Sequence, residues 1–314
     1  MPRPVLAVLA LAVAIVAGYA ALGGSLTSHD RREMAGAPPV ASAAPRLHRV
    51  AAPTFGVKLA AGPQRVKANF RVPPRGGLLF DLRTGRVLWR RGAERHLKIA
   101  SLTKMMTALV VAAHLPQHAR VTITRQALAF QGSGVGVFRL HQKIDAETML
   151  YGLLLPSGND AAIALAQRVA GSTRAFIRLM NTEAAALRLH CTHFTSVDGF
   201  EDRGNYSCAP DLAVIAREML RSPRLAKIIR SPRALLPFPT RGGRLDLFNN
   251  NPLLRLRYPG TDGVKTGFTA LAGHCLVAAA HRGRTRLGVV LLHSPDTGTQ
   301  ARLLLDRGFR ALGA

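Results

Sequence analysis

The chain has 314 residues, 48% of them apolar, which is ample for the core of one large domain or two small ones. Forty-three Lys and Arg against 17 Asp and Glu give a net charge of +26, a balance that favours polyanionic partners. No basic helix interleaved with aromatics, no zinc-ligand spacing and no phosphate-cradling glycine loop accompanies that charge, so nucleic-acid recognition has no motif here. Three cysteines exclude a disulfide-dense scaffold.

Val5 to Leu22 is uncharged and almost wholly apolar, between Arg3 and the Gly23-Gly24-Ser25 break. At the helical rise such a run spans about 27 Å, close to a bilayer core. Residues 1–24 therefore read either as a signal peptide, with small residues at Gly18 and Ala20 for cleavage, or as an uncleaved N-terminal membrane anchor. Both send the rest of the chain across the membrane, so an extracytoplasmic location is expected, with anionic lipid or cell-envelope polymer as the partner of its charge. Residues 25–72 are rich in Ala, Pro, Gly and Arg without periodicity and read as a disordered linker. A folded domain is expected over 73–314, with regular structure from about Gly76.

Gly77 to Leu82 and Arg86 to Arg90 predict a β-hairpin turning at Thr84-Gly85. A helix is expected from about Ser101 through Ala112. The middle is helical: Asp145–Leu155, Asp160–Val169, Thr173–Leu189 after the Gly171-Ser172 break, and Pro210–Leu220. Strands return at Gly263–Phe268, His274–His281 and Leu287–Leu292, the last two joined through Arg282-Gly-Arg284, and Thr299–Leu312 has helical spacing. Strands bracketing a helical insertion predict an α+β fold with an antiparallel sheet. Cys191 and Cys208 are close enough in sequence to bridge, which sequence alone leaves open, and Cys275 reads as a buried small hydrophobe.

Three short strings carry chemistry: Ser101-Leu-Thr-Lys104, Ser157-Gly-Asn159 and Lys265-Thr-Gly267. A serine hydroxyl is a poor nucleophile until a neighbouring base takes its proton. With Ser101 at a helix start, Lys104 lies one turn on and on the same face. That lysine has to be neutral for part of the cycle, which burial and a second cation favour; Lys265 is the natural second cation. A helix start also offers backbone N–H groups to an oxyanion. The Ser157 hydroxyl can relay a proton to a leaving amine, and the Asn159 amide can hold both a lysine and a substrate carbonyl. A strand edge with Lys265 and Thr266 facing outward can hold an extended peptide and its terminal carboxylate, and Gly267 allows close backbone approach. Each string alone has a plainer reading: a serine N-cap, a capping loop, and a solvent-facing strand end.

As a set, the strings are the signature of penicillin-binding proteins and class A β-lactamases. Their flanks extend the likeness. Ile99-Ala-Ser-Leu-Thr-Lys-Met-Met-Thr-Ala108, Leu154-Leu-Pro-Ser-Gly-Asn-Asp-Ala-Ala162, the helix with Met180-Asn181, Asp262-Gly-Val-Lys-Thr-Gly-Phe-Thr269 and Ala272-Gly-His-Cys-Leu-Val277 resemble the serine-type D-Ala-D-Ala carboxypeptidase family, the low-molecular-mass penicillin-binding proteins of the peptidase S11 kind. The resemblance covers roughly residues 75 to 312 and implies the β-lactamase/DD-peptidase-like fold: an antiparallel sheet flanked by helices, with a helical subdomain inserted.

The resemblance implies Ser101 as acylated nucleophile, Lys104 as its base and Ser157 as proton relay. It implies Asn159, Lys265, Thr266, Gly267 and Phe268 as substrate-binding residues, with the N–H groups of Ser101 and Phe268 as oxyanion hole. The implied reaction removes terminal D-Ala from peptidoglycan stem peptides, needs no metal or cofactor, and is blocked covalently by β-lactams. Two departures stand out. Little sequence follows the last predicted helix, so the β-rich C-terminal domain and amphipathic tail of many members are expected to be absent. Ser196-Val-Asp-Gly-Phe200 keeps only the glycine of the family pattern. The short form and Phe248-Asn-Asn-Asn251 also resemble the D,D-endopeptidase branch, which cuts cross-links, whereas Ser157-Gly-Asn159 favours the carboxypeptidase. A class A β-lactamase is disfavoured because no Glu-x-x-Leu-Asn string follows the second motif. A non-catalytic wall-binding or β-lactam-sensing protein is the reading of a different class.

Overall fold

The computed structural model describes residues 55–59, 64–200, 204–239 and 243–314. The apolar run Val5–Leu22 and the linker up to residue 54 lie outside them. Among the described residues no helix is long and apolar enough to cross a membrane.

Strand β1 (Gly76–Asp81) returns as β2 (Val87–Arg91) through the expected turn. Asp81 Oδ1 accepts from the N–H groups of Arg83 and Thr84, and Gly85 takes the left-handed φ of +72° that closes it. The helix expected from Ser101 is a 3-10 turn, Ala100–Thr103, that leads into α1 (Lys104–His114).

The inserted part follows: β3 (Arg120–Thr122), α2 (Arg125–Leu128), β4 (Lys143–Asp145), α3 (Ala146–Leu154), α4 (Asn159–Ala170) and α5 (Thr173–Ala186). Gly171 ends α4 at φ +75°, and Ser172 caps α5 by accepting from Ala175 N–H, so the break falls where the sequence placed it. Next come α6 (Ala209–Arg221), α7 (Pro223–Ile229), the hairpin β5 (Arg233–Pro237) with β6 (Arg244–Phe248), and α8 (Pro252–Arg255). The last elements are β7 (Thr261–Thr269), β8 (Gly273–Arg282), β9 (Thr285–Ser294) and α9 (Thr297–Ala311).

The main sheet has the order β2-β1-β9-β8-β7, antiparallel throughout, with β7 at one edge. Its central strands are apolar on both faces, and the alternation sorts them. Cys275, Val277 and Ala279 of β8 join the core under the helical insertion, while Leu276, Ala278 and Ala280 join a second core under α9. Val290 and Leu292 against Leu287, Val289 and Leu291 divide β9 in the same way. Helices thus cover both faces of an antiparallel sheet. This is the expected α+β architecture, and the two-sided burial is why β8 and β9 read as continuous apolar runs.

Packing begins earlier than residue 73. Phe55 is buried against Phe80, their ring centres 6.3 Å apart, and Val66 N–H donates to the Leu88 carbonyl at 3.0 Å. Phe70 meets Trp89 edge-on. Isolated apolar residues in an Ala/Pro/Arg-rich stretch do this work, so composition alone could not reveal it. The structure also joins Cys191 and Cys208 in a disulfide, with Cα atoms 5.8 Å apart. Cys275 is buried, as expected.

Candidate active site

The first and third strings, far apart in sequence, meet where the edge strand β7 crosses the turn that opens α1, and Asp160, next to the second string, is close enough for its charge to act on Lys104. A Cβ on Gly267 would stand 3.0 Å from the Ser101 nitrogen, 3.0 Å from the Ile99 carbonyl oxygen and 3.2 Å from Ala100 Cβ. Only glycine lets the strand run that close to the serine. Ala100 holds a left-handed φ of +47°, a conformation costing an L-residue about 1–2 kcal/mol. Thr103 secures the turn: its hydroxyl donates to Ala100 O at 2.8 Å and accepts from Asn205 Nδ2 at 2.8 Å.

Lys104 is fully buried, and its Nζ donates to Ser101 Oγ at 2.9 Å and to the Asp198 carbonyl at 2.7 Å. Burial lowers its pKa to about 8, against the opposing charges of Asp198 and Asp160. Near neutrality a useful fraction of this amine is unprotonated, which is what a base for a serine needs.

Lys265 was expected on an outward face of β7, but it is 1% exposed. Its register partner Val277 belongs to the core under the helical insertion, so the alternation of the strand carries Lys265 inward. Nζ donates to the Thr266 carbonyl at 2.9 Å. Burial, and then the charge of Lys104, hold its pKa well below the ordinary lysine value. The two buried amines therefore disfavour each other's protonation. Thr266 is half-buried on the same edge, and Phe268 is 60% exposed, its ring stacked on His274 at 4.4 Å.

Ser157 precedes α4 with a left-handed φ of +72°; its Oγ is closed off from solvent and has no hydrogen-bond partner among the described residues. Asn159 Nδ2 donates to the Gln131 carbonyl, and its N–H donates to Ser133 O at 2.7 Å. The expected lysine contact of its amide is therefore not a hydrogen bond here, and Oδ1 is the atom left without a partner among the described residues.

Several groups that shape this site were not legible in the strings. Asp198 contributes a main-chain carbonyl to Lys104, and Thr107 fixes the same loop by donating to Val197 O at 2.6 Å. Gly199 sits so close that a Cβ there would be 1.9 Å from Ala100 O. The glycine retained in Ser196–Phe200 was the available signal. Asp160, buried beside Asn159, accepts from Val135 N–H at 3.0 Å, Gly136 N–H at 2.9 Å and its own neighbour Ala161 N–H at 2.8 Å. It ties the loop around Gln131 and Ser133 to the second string. Among the described residues, one set of metal-ligating atoms lies close together, Cys191, Cys208 and Asp211. Both sulfurs are bonded to each other, so no thiolate is available to a metal.

The model of the D-alanyl-D-alanine carboxypeptidase family, peptidase S11, matches residues 65–296. The chain belongs to the D-alanyl-D-alanine carboxypeptidase family. The D-alanyl-D-alanine carboxypeptidase of Streptomyces sp. strain K15 is 34% identical over 289 residues, covering 84% of this chain and 99% of that protein. DacF of Bacillus subtilis is 32% identical over 75% of this chain, and DacA of Escherichia coli K12 is 36% identical over 74%. The chain spans only 62% and 60% of those two proteins. Among solved structures, the Streptomyces K15 DD-transpeptidase matches with a TM-score of 0.72 at 33% identity, over 78% of this chain and all of that one. A D-alanyl-D-alanine carboxypeptidase from Mycobacterium tuberculosis matches with the same TM-score at 31% identity, over 82% and 96%. The family's DD-peptidase fold is the one described above.

Proposed function

We propose that this chain is a serine D-alanyl-D-alanine carboxypeptidase acting on peptidoglycan stem peptides on the outer side of the membrane. The observation that carries the reading is the buried Lys104 amine, 2.9 Å from Ser101 Oγ and with its pKa lowered to about 8. The terminal carboxylate of the peptide binds at Lys265 and Thr266, and Phe268 and Asn159 line the peptide's path. Neutral Lys104 takes the proton as Ser101 Oγ attacks the carbonyl carbon of the penultimate D-Ala. The oxyanion forms beside the N–H groups of Ser101 and Phe268, where negative charge is stabilised most in the transition state. The proton passes through Ser157 to the nitrogen of the terminal D-Ala, the amide bond breaks, and free D-Ala leaves an ester on Ser101. Water, activated by Lys104, cleaves the ester. β-Lactams acylate the same oxygen. No step calls on a metal or cofactor.

A second reading is transfer of the acyl group to an amine instead of water. It is favoured by near-complete coverage of the Streptomyces K15 protein, which is described as a DD-transpeptidase. Cleavage of D,D-cross-links is the same chemistry with a larger leaving group. Residues 1–24 fit this function as signal or anchor ahead of a catalytic part, and the net charge of +26 suits an anionic envelope.

Product mass spectrometry separates the readings, using monomeric pentapeptide with and without glycine as acceptor, cross-linked muropeptide dimers, and Ser101→Ala as control. Loss of one alanine from the monomer, absent in the variant, supports the carboxypeptidase. A glycyl adduct marks the transferase, and cleaved dimers with intact pentapeptide mark the endopeptidase. No Ser101-dependent product in any arm overturns the enzymatic reading.

A further inference from the structure

At the end of the sheet away from Phe268, the β1–β2 turn, the C-terminal turn of α6 and the β8–β9 turn enclose a cavity of about 350 Å³. From His274, opposite Phe268, to Arg282 is about 27 Å along β8, so this place is separate from the active site. Five arginines line it, Arg83, Arg217, Arg221, Arg284 and Arg286, against one carboxylate, Asp262. That carboxylate is already engaged, 3.0 Å from His281 Nδ1. Arg221 has a loose 3.5 Å contact with Glu218. Arg83, Arg284 and Arg286 have no carboxylate within ion-pair distance among the described residues. Arg217 donates through Nε to Leu82 O at 2.9 Å and lies over the Phe55 ring, yet its Nη1 is shut off from solvent with no acceptor among the described residues.

Converging like charges around a concavity are unfavourable unless a counter-ion sits among them. Burial, and then the neighbouring Arg221, lower the pKa of Arg217. Guanidinium groups approach phosphate oxygens in pairs of parallel hydrogen bonds, and a tetrahedral, multiply charged group accepts from several at once. The volume is within the range of small-ligand pockets, about 300–1,000 Å³. We propose that this arginine-lined cavity is a binding site for a phosphate-bearing anion. The phosphate can be carried by a lipid headgroup or by a soluble or polymer-borne molecule, and the chemistry of recognition is the same for both.

The test uses the full chain, Arg284→Gln/Arg286→Gln, and a control that removes the same charge from the exposed face of α5, Arg174→Gln/Arg178→Gln. Pyrophosphate is titrated calorimetrically at constant ionic strength, and D-Ala release serves as the measure of intact folding. Saturable binding that weakens about tenfold in the cavity variant and less than about twofold in the control supports the site. Vesicles of phosphatidylcholine with and without phosphatidylglycerol identify the source. An increment due to phosphatidylglycerol that the cavity variant alone loses assigns a lipid phosphate; pyrophosphate binding with no such increment assigns a soluble or polymer-borne one. No saturable binding, or equal loss in both variants, overturns the proposal and leaves only the diffuse charge of the chain.

Discussion

The ε-amine of Lys104 donates to the main-chain carbonyl of Asp198, 94 residues away, at 2.7 Å, while also reaching Ser101 Oγ. One loop thus holds the proposed base in place, and it does so through an atom that every residue type carries.

That loop fits because residue 199 is glycine. With φ at +80° and no room for a Cβ, Gly199→Ala has to push the loop off Ala100 O. The expected cost is about 3 kcal/mol or more, with at least a tenfold loss of D-Ala release. Gly171→Ala has a similar φ of +75° but nothing within 4 Å of its Cβ. It is expected to cost only about 1 kcal/mol and to leave activity intact. Thermal denaturation and D-Ala release, measured on both variants, check the contrast.

The pH profile follows from Lys104. In the proposed mechanism the base works when neutral, so kcat/KM for D-Ala release is expected to rise with pH and to reach half its plateau near pH 8. The same lysine costs stability. Its folded pKa, about 8, lies below the ordinary 10.5, so the penalty is complete below pH 8 and fades as pH rises towards 10.5. A drop of that size is worth about 3 kcal/mol, and replacing the amine leaves the Asp198 carbonyl without its donor, at about 1–2 kcal/mol. Lys104→Met is therefore expected to be inactive yet more stable at pH 6 by about 1–2 kcal/mol, a few degrees in Tm, with the gain gone above about pH 10. Denaturation curves at pH 6 and pH 10 test the sign.

Asp160 acts through the loop that closes over the second string. Asp160→Asn keeps the shape but turns an N–H towards the N–H of Val135 or Gly136, both of which need an acceptor. The loop bearing the Gln131 and Ser133 carbonyls then loosens around Asn159. The expected result is a KM raised about tenfold with kcat lowered much less, read from steady-state kinetics.

Much of this architecture was visible in the residues. The β1–β2 turn, the α4–α5 break and the three C-terminal strands carry local signals strong enough to stand alone, and the three strings contain the side chains that the proposed mechanism uses. What was missed was non-local. The Asp198 carbonyl has no signature in residue type. Lys265 looked outward because a lysine on an edge strand usually is, and only the register with Val277 turns it in. The β5–β6 hairpin escaped because its strands are short, with charged Arg233 and Asp246 paired across an exposed face. Phe55 and Val66 are single apolar residues in a linker-like stretch, and their burial depends on partners in β1 and β2.

The disulfide closes the segment that contains Asp198 and Gly199, between residues 17 apart. Loops of that length give about 3 kcal/mol by restricting the unfolded chain. Cys191→Ala/Cys208→Ala is expected to lower Tm by several degrees and to reduce kcat, and dithiothreitol should do the same to the wild type. An unchanged Tm in the variant contradicts a stabilising bridge.

The most direct test of the central claim is the mass of peptides from the protein digested after brief reaction with benzylpenicillin. The account predicts one penicilloyl group on the peptide containing Ser101, formed faster as pH rises towards 8 and absent in Ser101→Ala. An adduct on another residue, or D-Ala release that persists in Ser101→Ala, would contradict it.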